Sequence, residues 1–143
     1  MNNLKHKSRI IQINQKIPFN IFKILDGDSQ KTMSSEEVFK NKNVVIFSVP
    51  GAFTPKSTNV QIPGYLKNAN RILKSGIDRI VCISVNDPFV MDSWGKSQNV
   101  KDKILMMADP FLDFTKAIGA DVDKSARGLG IRSNRYTMLI DNL

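Results

Sequence analysis

Two short runs of almost unbroken apolar, largely β-branched residues constrain this chain most: "NVVIFSV" at 43–49 and "RIVCISV" at 79–85. Neither alternates apolar with polar residues, as a strand with one wet face does. Both suit strands covered on two faces. Between them, Val60, Tyr65, Leu66, Ala69, Ile72 and Leu73 recur at helical spacing from Ser57 to Lys74. Strand, helix, strand in that order makes a parallel pair with a right-handed crossover, and so an α/β fold.

The flanking segments extend the pattern. "FNIFKILDGDS" reads as a short strand that Asp26-Gly27 ends as a turn, and "SSEEVFKNK" as a short helix with Ser34 and Glu37 in a capping box. Pro50-Gly51 stops the first buried strand. Pro63-Gly64 predicts a kink in the helix that follows, and Gly76 closes it. "NDPFVMDSWGK" opens a helix with Asp87 as N-cap and Pro88 at the first position; Asp109-Pro110 repeats that device before "FLDFTKAIG". "KILMMAD" reads as a third strand and "RYTMLID", 135–141, as a fourth buried one. In such sheets reactive groups gather at the C-terminal ends of strands. The loop "VPGAFTPKSTNVQIPGY" leaves one of those ends and enters a helix.

Composition removes several chemistries. The 143 residues suit one domain, and no apolar run approaches the roughly 18 residues of a membrane span. The basic start, "MNNLKHKSRIIQINQKI", is too broken by polar residues to be a signal core, so a cytoplasmic setting is the expectation. Net charge is +8, but Lys23, Lys31, Lys40, Lys67, Lys74, Lys96 and Lys124 are spread along the chain; only Lys5, His6, Lys7 and Arg9 cluster. That distribution reads as a solvated surface and not as a nucleic-acid site. A single cysteine, Cys82, excludes an intramolecular disulfide and a multi-cysteine zinc site, and a lone His6 offers no histidine base. No metal and no bound cofactor are expected.

The loop and three later motifs resemble the peroxiredoxins of type five. The family form Pro-x-x-x-Thr-x-x-Cys is matched by Pro50, Thr54 and Ser57 with spacing intact, inside "PGAFTP" and "IPGY". "ISVNDPFVMDSWGK", "ADP" and "RGLGIRSNRYTMLIDN" follow in family order, over residues 17–142. The resemblance implies a thioredoxin-like α/β fold, a central mixed sheet flanked by helices. It also implies a thiol peroxidase for hydrogen peroxide and alkyl hydroperoxides, with glutathione, glutaredoxin or thioredoxin as reductant, and leaves a homodimer open. Arg135 matches the family cation, with Arg132 as its rival. Thr54 matches the threonine that orients nucleophile and peroxide, and Pro50 the proline that shields the site.

Three departures follow. Ser57 stands where the nucleophilic cysteine belongs, Gln61 stands where the family has histidine, and Lys56 is unusual. Taken alone, Ser57 suits a helix N-cap and Arg135 a surface ion pair; their places in the motifs favour site roles. Cys82, mid-strand, reads as a buried core thiol, and Trp94 as a packing anchor near the site rim or a dimer contact. The expectation is therefore an inactive peroxidase, with a silent binding or dimerisation module as the alternative. Residues 1–16 are read as a basic extension and 17–143 as the domain without the last strand and helix of its family.

Overall fold

The computed structural model describes residues 10–143, so the cluster Lys5, His6, Lys7 and Arg9 lies outside the described residues. The elements are β1 (Ile21–Asp26), β2 (Ser29–Ser34), α1 (Ser35–Phe39), β3 (Asn43–Ser48), a π-helical turn (Ser57–Gln61) continued by α2 (Ile62–Lys74), and β4 (Arg79–Ser84). Then come α3 (Pro88–Ser97), β5 (Leu105–Ala108), α4 (Asp113–Ala117), β6 (Asp121–Asp123), β7 (Ile131–Ser133) and β8 (Tyr136–Asp141). Six strands form one mixed sheet in the order β2-β1-β5-β4-β3-β8. β3, β4 and β5 run parallel, while β1 with β2, β1 with β5 and β3 with β8 are antiparallel.

The two apolar runs are β3 and β4, at the middle of this sheet. Val44, Ile46, Val81 and Ile83 turn to one face and pack with Phe22, Phe39 and Phe114. Phe47, Ile80 and Cys82 turn to the other and pack with Ile62, Ala69, Met91 and Trp94. Each strand feeds two cores, which is why neither run alternates. The expected mixed sheet flanked by helices is the architecture found. Among the described residues no helix is long and apolar enough to cross a membrane.

Several local expectations hold in detail. Ser34 and Glu37 form the capping box of α1, and Asp87 accepts from the Val90 amide as N-cap of α3 with Pro88 at its start. Gly76, at φ +104°, takes the left-handed position just beyond α2. Ahead of Pro63-Gly64 the helix opens with the π turn, in which the Ile62 amide donates to the Ser57 carbonyl five residues back. Pro63 has no N–H for the next helical bond, and the wider turn absorbs that loss.

Others need correction. "SQKTMS" is the strand β2, missed because it is polar and largely exposed as the sheet edge. β6 and β7, three residues each, form a separate hairpin too short to show a period. Strand β8 is not buried on both faces. Among the described residues it pairs with β3 alone, and Leu139 is 67% exposed. An edge of this kind invites pairing between chains. Leu139→Lys should therefore reduce concentration-dependent light scattering while moving the melting temperature by no more than a few degrees; unchanged scattering would exonerate this edge.

Asp109 is not the N-cap of the following helix. α4 begins later, at Asp113, after Leu112 in the left-handed conformation. The buried Asp109 carboxylate reaches over the intervening residues and accepts from the Phe114 amide (3.3 Å), the Thr115 amide (2.8 Å) and the Thr115 hydroxyl (2.6 Å). Asp109→Ala would strand these donors and should cost about 3 kcal/mol in urea unfolding. Asp109→Asn, which keeps one acceptor oxygen, should cost less. A loss below about 1 kcal/mol for the alanine variant would contradict this account.

Candidate active site

The loop after β3 turns tightly because its residues allow little else. Pro50 and Gly51 are buried. A Cβ on Gly51 would stand 3.1 Å from Thr54 Cγ2 and 3.2 Å from Arg132 Nη1, so a larger residue would push on both side chains. Phe53 takes φ +65°, an uncommon conformation for an aromatic residue, and tilts against Trp94 with ring centroids 6.4 Å apart. Two side chains from other elements pin the loop. Arg132 Nη1 donates to the Pro50 carbonyl (3.4 Å) and the Val85 carbonyl (3.1 Å), and its Nε to the Leu129 carbonyl (2.8 Å). Asn86 Oδ1 accepts from the Ala52 amide (3.0 Å) and the Ser84 hydroxyl (2.6 Å).

Ser57 lies fully buried at the start of the helix that this loop enters. Its Oγ stands 3.0 Å from Thr54 Oγ1, which is also 2.7 Å from the Gly51 carbonyl. Ser57 Oγ–H donates to Gln61 Oε1 (3.0 Å), and Arg135 Nε–H donates to the same oxygen (3.0 Å). The structure thus brings Pro50, Thr54, Ser57 and Arg135 to one end of the sheet. Arg135 touches Ser57 only through Gln61. Arg132 holds the loop by its carbonyls, and among the described residues it makes no hydrogen bond to Ser57 or Thr54. Trp94, buried as a packing anchor, donates from Nε1 to Thr58 Oγ1 (3.1 Å) and ties the helix start to α3.

Cys82 is fully buried in β4, and burial pushes its thiol well above the ordinary range, holding it protonated. It is no nucleophile. Among the described residues no group of three or more His, Cys, Asp or Glu side chains is placed to hold a metal ion.

Gln61 and Asn86 are the members that sequence reasoning did not assign. Gln61 registered only as a departure from a family pattern, although its i,i+4 relation to Ser57 puts both on one helical face. Asn86 follows the C-terminal end of β4, the same edge from which the loop springs.

Comparison with known proteins places this chain in a family. Residues 12–142 match the Redoxin family model. The chain is 38% identical to peroxiredoxin-2D of Arabidopsis thaliana over 134 residues, covering 93% of this chain and 83% of that protein. It is 44% identical to peroxiredoxin-2C of Oryza sativa subsp. japonica over 119 residues, 82% of this chain and 74% of the other. Among solved structures, reduced Prx3 of Vibrio vulnificus in complex with H2O2 matches with TM-score 0.89 at 42% identity, over 93% of this chain and 83% of that one. Peroxiredoxin 5 of Alvinella pompejana matches with TM-score 0.83 at 39% identity, over 92% and 84%.

Proposed function

The chain belongs to the redoxin family as a peroxiredoxin with a thioredoxin-like fold, and from that premise we propose that it holds a hydroperoxide against Ser57 without reducing it. Thiol peroxidase chemistry is the family's general activity. There, a cysteine thiolate attacks one peroxide oxygen and the O–O bond breaks. Sulfur gains a hydroxyl and is oxidised by two electrons, and the departing alkoxide takes a proton to leave as alcohol or water. A hydroxyl oxygen cannot take this role. Its attack on an O–O bond would only make another O–O bond, and no base within reach lowers its proton affinity.

One observation carries the reading: a buried Ser57 Oγ, 3.0 Å from Thr54 Oγ1, at the cysteine position of a loop that keeps Pro50 and Thr54 at the family spacing. Both hydroxyls have lone pairs for a guest, and Arg135 brings a cation to the rim. The structure of the Vibrio relative with H2O2 supports peroxide as that guest. Phe53 and Phe89, each about half exposed, support a homodimer as part of this reading. The setting we propose is the cytoplasm, with glutathione, glutaredoxin or thioredoxin as the reductant of an active ancestor. No nucleic-acid partner or cofactor enters it.

The test is a titration with tert-butyl hydroperoxide, followed by the amide resonances of Thr54 and Ser57. Saturable shifts with undiminished peroxide are expected, and Thr54→Val should weaken binding about tenfold, the loss of one or two hydrogen bonds. Absence of any shift would remove the guest from the site.

A further inference from the structure

Resting on the reading of position 57 as the nucleophile position, we propose that Gln61 sets the charge state this site accepts, suiting it to a neutral hydroxyl and opposing an anion. The geometry decides which end of the Gln61 amide faces inward. Arg135 Nε–H is a donor with no acceptor capacity, so the Gln61 atom 3.0 Å from it is the carbonyl oxygen and not the amide nitrogen. Ser57 Oγ meets that same oxygen at 3.0 Å and has one proton to give. Thr54 likewise has one proton, with the Gly51 carbonyl at 2.7 Å and Ser57 Oγ at 3.0 Å competing for it. The run Gly51–Thr54–Ser57–Gln61 ends in an acceptor on both sides. It holds three oxygen contacts and two protons.

An anion at position 57 makes this shortage worse. It removes one of the two protons and sets negative charge against Gln61 Oε1 with nothing between. Turning the amide to offer Nε2 to the anion would press an NH2 group onto the Arg135 N–H, donor against donor. Gln61 can therefore serve the cation or the anion, not both. Ser57 itself is fully buried, so water does not reach the atom that would carry the charge, although Arg135 at the rim is exposed. A guest that donates a proton relieves it, so Gln61 favours a neutral hydroperoxide in its protonated form over the peroxide anion.

The experiment places a thiol in the full chain by Ser57→Cys and titrates it by its thiolate ultraviolet absorbance. Ser57→Cys is compared with Ser57→Cys/Gln61→Met, Ser57→Cys/Gln61→Ala and Ser57→Cys/Gln61→Glu, each checked by circular dichroism. Removing the acceptor in the Met and Ala variants should lower the thiol pKa by about one pH unit, and the carboxylate of the Glu variant should raise it by at least as much. Arg135→Ala should change little while Gln61 is present, since the freed amide can then turn toward the thiolate. In the Gln61→Met background it should raise the pKa. An unchanged or higher pKa in both the Met and Ala variants overturns the proposal. Peroxide oxidation is read on the same proteins. A thiol that oxidises rapidly with an unmoved pKa defeats the Gln61 proposal alone, whereas one that oxidises no faster than in the unfolded chain defeats the nucleophile reading beneath it.

Discussion

Incubated with hydrogen peroxide and dithiothreitol, glutathione or thioredoxin, the chain is expected to consume no more peroxide than a protein-free blank. Two observations combine to give this expectation. The residue at the site is Ser57, whose oxygen cannot accept the two-electron oxidation that sulfur accepts. The one thiol, Cys82, is sealed in the sheet among Met91, Trp94 and Phe47, and burial keeps it protonated. A thiol of that kind is inert until the core opens. Loss of activity relative to a family thiol peroxidase is expected to be complete within the background, a larger effect than any point change in stability discussed above. Turnover that Cys82→Ser abolishes would contradict the account, because it would make the buried thiol the working group.

Ser57→Cys should restore a reactive thiol. Cysteine adds little volume, so the helix start and the π turn behind it need not move. The first-turn amides of this helix and the Arg135 guanidinium both favour negative charge there. The thiol pKa should therefore lie below the free value of about 8.5, even with Gln61 opposing it. At neutral pH that gives a several-fold larger thiolate fraction than in the unfolded chain, and treatment with peroxide should yield a sulfenic acid. Arg132→Ala should change the acidity less than Arg135→Ala does in the Gln61→Met background, because Arg132 is engaged with the carbonyls of Pro50, Val85 and Leu129. A thiol that titrates like free cysteine in every variant would mean that the pocket no longer acts on residue 57.

Much of this was legible in the residues. The central strands announced themselves because burial on two faces leaves no polar position in "NVVIFSV" or "RIVCISV". The caps at Ser34 and Asp87 were legible because capping is a local bond between neighbours. The same reasoning failed at Asp109, where the carboxylate skips four residues to reach Phe114 and Thr115, a distance that cap rules do not cover. β2 escaped because an exposed edge strand needs no apolar side chains. Strand β8 was found but misjudged, since periodicity does not say how many neighbours a strand has. In the site, Pro50, Thr54 and Ser57 stood out through the resemblance of their loop to that of the type-five peroxiredoxins. The role of Gln61 could not be read, because its second partner, Arg135, lies 74 positions away in sequence. Neighbouring residues foretell local bonds; the coupling of a cation to a helix through one amide needs the fold.

The central claim is that Ser57 occupies the nucleophile position of a peroxidase site that still forms. Its most direct test is the locus of oxidation in the Ser57→Cys protein after one equivalent of hydrogen peroxide, with sulfenic acid trapped by dimedone and mapped by peptide mass spectrometry. The account predicts the adduct at position 57, none at Cys82, and a rate well above that of the same chain in urea. Adduct at Cys82, or oxidation at position 57 no faster than in the unfolded chain, would contradict it.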